Sequence, residues 1–137
     1  MENTRQAVQT VAPNITLEWV HDGQIAVFEI RTVSRDSFDG WFQTVTKLMD
    51  TWPVDRPLLT VQDNSYPGAA FTPSLREHSR QIANRRPEVT MHTAVVLSKT
   101  LVVQFVEFFL RTMQKPNRQT RIFYNRENAI AWLMTKA

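Results

Sequence analysis

Ile15-Thr16-Leu17-Glu18-Trp19-Val20 is followed by His21-Asp22-Gly23-Gln24 and then by Ile25-Ala26-Val27-Phe28-Glu29-Ile30. The outer runs are rich in β-branched and aromatic residues. The Asp22-Gly23 pair between them is a strong signal for a tight turn, so the stretch predicts a β-hairpin. Everything downstream alternates between two kinds of pattern, and the hairpin gives that alternation a sheet to build on.

The next element is a helix. Phe38, Trp41, Phe42, Val45, Leu48, Met49 and Trp52 recur on one face of a 3.6-residue period. Ser34 suits the N-cap, Asp36 and Asp39 suit the positive end of the helix dipole, and Pro53 ends the helix. Gly40 inside it costs ~1 kcal/mol relative to alanine, which predicts a close contact or a late start. Leu58 to Gln62 reads as a buried strand, and Asp63 to Phe71 as a loop. Thr72-Pro73 opens a second helix, reaching about Arg85, with a thin apolar stripe of Leu75, Ile82 and Ala83. Thr90 to Leu97 reads as a strand and Ser98-Lys99-Thr100 as a turn. A third helix spans Leu101 to Gln114 and is stopped by Pro116. Thr120 to Tyr124 forms the last strand, and Asn125 caps a final helix that buries Ala129, Ile130, Trp132 and Leu133. The order is ββαβαβαβα. Right-handed crossovers make the later strands parallel, so the expected fold is α/β: one mostly parallel five-stranded sheet with helices packed on it.

Upstream, residues 1–13 are polar and read as a flexible lead-in to one domain over 14–137. That length is ordinary for a single domain. No apolar run approaches the ~20 residues of a membrane span. The longest, Leu101 to Leu110, is broken by Gln104 and Glu107. The chain contains no cysteine, which excludes disulfides, thiolate zinc sites and cysteine nucleophiles. A cytoplasmic location is the expectation. Residues 1–68 hold 5 Lys/Arg against 9 Asp/Glu, and residues 69–137 hold 11 against 4. Such polarity steers an anionic partner, seats a mating surface, or simply solvates two faces.

Ligands of open α/β sheets collect beyond the carboxyl ends of parallel strands. Three loops should meet there: Asp63-Asn64-Ser65, Ser98-Lys99-Thr100 and Tyr124-Asn125-Arg126. Asp63, Asn64, Ser98, Lys99, Thr100 and Asn125 are therefore the ligand or anion candidates, beside helix N-termini. The same residue types serve as caps and turns. His21, His78 and His92 have no metal-ligand spacing. The chain has no Gly-x-Ser-x-Gly elbow and no glycine-rich phosphate loop. No catalytic residue, metal or cofactor is implied.

The third helix is apolar around most of its circumference, so it should be buried on more than one side. A homodimer interface, an apolar ligand wall and a roofed central helix all meet that need. Leu101, Phe105, Phe108 and Phe109 are the candidates for the first two. The basic run Arg76, Arg80, Arg85 and Arg86 lies on the second helix without interleaved aromatics, which argues against dedicated nucleic-acid binding.

The ending Arg121-Ile122-Phe123-Tyr124-Asn125-Arg126-Glu127-Asn128-Ala129-Ile130-Ala131-Trp132-Leu133, together with the element order from Ile15 on, resembles the STAS-like group, the fold of the anti-sigma-factor antagonists and SpoIIAA-like proteins. That resemblance implies a non-enzymatic regulatory module acting through protein contacts. The family's Asp-Ser-Ser-Gly-type phosphorylation motif is replaced here by Asp63-Asn64-Ser65-Tyr66-Pro67-Gly68, which leaves Ser65 as the nearest serine. SpoIIAA-like proteins are also similar in outline to Sec14-type lipid-binding domains, which implies an apolar small molecule as the alternative partner.

Overall fold

The computed structural model describes residues 8–31, 34–66, 72–99, 101–102 and 115–137. They form one α/β domain. Six strands, β1 (Gln9–Ala12), β2 (Ile15–Val20), β3 (Ile25–Ile30), β4 (Leu58–Asn64), β5 (Met91–Leu97) and β6 (Arg118–Phe123), lie in sequential order in one sheet. Strands β1 to β3 pair antiparallel, and β3 to β6 pair parallel. Three helices are described: α1 (Arg35–Thr51), α2 (Pro73–Asn84) and α3 (Arg126–Met134). The helix expected over 101–114 lies almost wholly outside the described residues.

The hairpin forms as its residues dictate. His21, Asp22 and Gly23 all take positive φ (51°, 56° and 78°), and the Gln24 amide donates to the His21 carbonyl at 3.2 Å. The sheet has one strand more than expected, because residues 9–12 of the predicted lead-in pair with β2. The turn between β1 and β2 is made by Pro13-Asn14, with Asn14 at φ 62°. Ser37 fastens that turn to α1 by donating its hydroxyl to the Pro13 carbonyl at 2.5 Å. Gly40 is the close contact that the sequence leaves open. A Cβ there would stand 2.7 Å from the Ala12 Cβ, so the missing side chain lets β1 lie against α1.

Capping follows the sequence. The Ser34, Thr72 and Asn125 side chains accept from the amides of Ser37, Leu75 and Asn128, at 3.1, 3.1 and 2.8 Å. Crossovers of one hand along sequential strands keep their helices on one side. Accordingly α1 and α2 share a face, where Phe38, Trp41, Val45, Met49, Leu75 and Ile82 pack on Phe28, Ile30, Leu58, Met91 and Val95. Helix α3 is not a crossover and covers the other face, with Ala129 and Leu133 on Ile25, Val27, Leu59, Val61, Ala94 and Val96. Every residue of β4 is buried, as expected for a strand covered on both sides.

The amino-terminal edge of the parallel strands is closed by arginines. Arg86, at φ 46°, donates to the Met49, Asp50 and Trp52 carbonyls at 2.6, 3.2 and 2.8 Å, satisfying the last turn of α1. Buried Arg118 does the same for α2. It donates to the carbonyls of Ile82, Ala83 and Val89 at 3.1, 3.2 and 3.1 Å, and also to that of Arg86. Arg85 grips Asp50 with two bonds of 2.8 and 2.6 Å. Two members of the basic run, Arg85 and Arg86, are thus spent at the end of α1, and a third, Arg80, pairs with Glu77 at 3.1 Å. No helix among the described residues is long and apolar enough to cross a membrane.

Candidate functional site

Parallel strands end on one edge, and here β3 and β4 each bring a carboxylate to it. Glu29 and Asp63 are register partners and both face α3, because Ile25, Val27, Leu59 and Val61 of the same alternation do so. Two neighbouring carboxylates repel each other. Arg126, the first residue of α3, lies between them: its Nε donates to Asp63 Oδ2 at 2.7 Å and its other arm to Glu29 Oε2. Asp63 Oδ1 accepts from both the Ser65 amide (3.1 Å) and the Ser65 hydroxyl (2.6 Å). Glu29 Oε1 accepts from Arg31 Nε at 2.8 Å, and the Tyr66 hydroxyl favours the charge of the same carboxylate.

The electrostatics follow from these contacts. Burial pushes the Glu29 carboxyl up, but the bonds from Tyr66, Arg31 and Arg126 outweigh it and hold the group below its usual range. Burial, then the bond to Glu29, pushes the Tyr66 phenol above its usual value. Burial works against the Arg126 charge, and the two carboxylates more than restore it. The cluster is a closed ionic staple that ties the amino end of α3 to the sheet.

Around the staple runs an exposed rim. The chain has 2 tyrosines, and both lie past the carboxyl ends of parallel strands, half-buried Tyr66 after β4 and Tyr124 after β6. Tyr124 is 56% exposed, with the Lys99 ammonium 5.9 Å from its ring centre. Arg31 lies 5.1 Å over the Tyr66 ring. Helix α3 is short and packs mainly on β4, β5 and β6. Beside the staple lies an open groove of about 510 Å³, lined by Thr10, Thr16, Glu18, Glu29, Arg31 and Arg126 among others.

The sequence candidates separate. Asp63 and Ser65 belong to the staple. Asn125 is a helix cap, and its side-chain oxygen is taken by Asn128. Ser98 is half-buried and its carbonyl accepts the Leu101 amide at 3.1 Å, while Lys99 is exposed on the rim. Asn64 does not join Asp63, because adjacent strand residues point to opposite faces. It is buried on the α1/α2 side and lines a cavity of about 50 Å³ there, with Gln62, Ser79, Thr93, Trp41 and Val95. Leu101 is 7% exposed and part of the main core. Thr100, Phe105, Phe108 and Phe109 lie outside the described residues.

Sequence reasoning missed Glu29, Arg31 and Tyr66 in the staple, and Gln62 and Ser79 at the cavity. Glu29 carried a signal: it is a charge in the same alternation as the buried Ile25 and Val27. Among the described residues no group of three or more His, Asp or Glu could hold a metal ion. No family model matches the chain, and no curated protein or solved structure matches it.

Proposed function

We propose that the chain is a non-enzymatic, STAS-like regulatory module that works as a homodimer and engages a protein partner through the carboxyl-edge rim. The observation that carries this reading is that both tyrosines, each with a cation over its ring, stand at the carboxyl edge of the parallel strands. Tyrosine and arginine are the residue types that dominate the energetics of protein interfaces. The staple itself argues for contact rather than chemistry. Both carboxylates are engaged by arginine, serine or tyrosine, which leaves neither placed as a general base. The open groove continues the rim and offers polar edges to an extended segment.

The test is a quantitative pull-down comparing the wild type with Tyr124→Ala and Lys99→Ala. Both positions are exposed, so melting temperature should hold while a defined subset of partners is lost. Identical capture by all three proteins overturns the rim as the contact. The dimer is tested separately by sedimentation over a concentration series, with Phe108→Asp as the dissociating variant from the sequence reading. A carrier of lipid-sized apolar molecules is the poorer reading: pockets for such ligands measure roughly 300 Å³ or more and are mostly apolar, whereas the cavity between α1, α2 and the sheet is about 50 Å³ and the groove of about 510 Å³ is lined largely by polar and charged residues.

A further inference from the structure

The cavity on the α1/α2 face is chemically unlike the core around it. Its floor and walls are apolar, with Ile30, Val45, Leu75 and Val95 among them. Into it turn Gln62, Asn64 and Ser79, each 7% exposed, and the half-buried Thr93, whose hydroxyl accepts from that of Thr60 at 3.3 Å. A buried polar group without a partner costs roughly 1–3 kcal/mol, so native cores pair such groups. Here each keeps a little solvent contact, so water meets the remaining bonds and a ligand can replace it. The Trp41 indole donates to Gln62 Oε1 at 2.8 Å. This fixes the amide so that its NH₂ is the unused end, because an indole can only donate. The Gln62 nitrogen, the Asn64 carboxamide and the Ser79 hydroxyl form no hydrogen bond with another described residue.

We propose that this cavity is a binding site for a small uncharged molecule carrying a carboxamide-like edge, with a carbonyl beside an N–H. The charge follows from the lining: none of its described side chains is charged, and an ion would lose its hydration with nothing to replace it. The edge follows from the donors and acceptors. The Gln62 NH₂ requires an acceptor, and Asn64 offers a complementary donor and acceptor, the pattern by which a carboxamide grips another amide-like edge. The size follows from the volume. About 50 Å³ equals the space of roughly three to five waters at ~10–15 Å³ each, or a molecule of about that many non-hydrogen atoms. Waters could satisfy the polar side but would be left short of bonds against Ile30, Val45 and Val95, since a buried water needs two to four polar partners. This site is on the opposite face from the staple and does not depend on the rim.

The experiment is a titration of the ¹⁵N-labelled full chain with propionamide, followed by NMR. Butanone, nearly the same shape without the N–H, is the control. The expected result is a saturable shift confined to the Gln62 and Asn64 side-chain amides and the Trp41 indole. Butanone should bind more weakly, and Ser79→Ala and Asn64→Leu should each weaken propionamide about tenfold, a factor equal to ~1.4 kcal/mol. Ser79→Ala removes one atom from a helix and keeps the test valid if Asn64→Leu fails to fold. Absence of a saturable shift, or equal affinity in wild type and Ser79→Ala, overturns the proposal and makes the cavity a water pocket only.

Discussion

Replacing Arg126 with methionine should release the amino end of α3. The Asp63 side chain is 6% exposed and its Oδ2 has Arg126 as its charged partner, while the Glu29 side chain is 19% exposed and keeps Arg31. Removing one partner of a buried pair costs roughly 3–5 kcal/mol, whereas an exposed pair contributes roughly 0–1 kcal/mol. The Asp63 contact lies nearer the first case, but Arg126 itself is 34% exposed, so water can partly replace it. The Glu29 contact lies nearer the second. Together they give a loss of about 2–3 kcal/mol, or roughly 6–12 °C in Tm for a domain of this size. Urea unfolding of Arg126→Met, Asp63→Asn and the double variant measures it. The double variant should recover more than ~1 kcal/mol of the summed losses, because the pair is coupled. Hydrogen exchange at 129–134 should rise more than at β4. A loss under ~0.5 kcal/mol, or an equal loss in the Asp63→Asn background, would refute the staple.

Arg118→Met leaves the carbonyls of Ile82, Ala83, Arg86 and Val89 without this donor and should cost about 2–4 kcal/mol in urea unfolding. Arg118→Lys should recover only a minor part, since an ammonium cannot reproduce the planar fork. Gly40→Ala should destabilise by about 1–3 kcal/mol despite the better helix propensity, because the new methyl meets Ala12 at 2.7 Å; a stabilised variant would disprove the β1–α1 contact. His92 is buried beneath Trp132, with rings 6.3 Å apart and Nδ1 unpartnered among the described residues. Burial and then Lys136 lower its pKa. The unfolded chain therefore takes up this proton first, and the neutral ring's contribution is whole above about pH 6.5 and is lost as pH falls toward the folded value. Tm should drop more steeply between pH 7 and 5.5 for the wild type than for His92→Gln, and parallel slopes would reject the assignment.

Local signals carried most of the architecture. The Asp22-Gly23 turn, the Phe38-to-Trp52 stripe and the Ser34, Thr72 and Asn125 caps depend on neighbours in sequence, and each appears where its residues put it. Strand β1 escaped because Gln9 and Thr10 are polar on an edge; the Pro13-Asn14 turn was its one local trace. The site was legible only as an edge. Asp63 and Asn64 look like one constellation in sequence, but the two-residue period of a strand sends them to opposite faces. The tasks of Arg86, Arg118 and Arg126 depend on partners 29 to 97 residues away, a distance over which no periodicity or motif speaks.

Native mass spectrometry of gently purified protein tests the central claim, a homodimeric binding module, most directly. The expected result is a species at twice the 16.0 kDa chain mass that gives way to monomer on dilution. A monomer at every concentration would contradict it, and a retained adduct of lipid size would turn the reading toward a carrier.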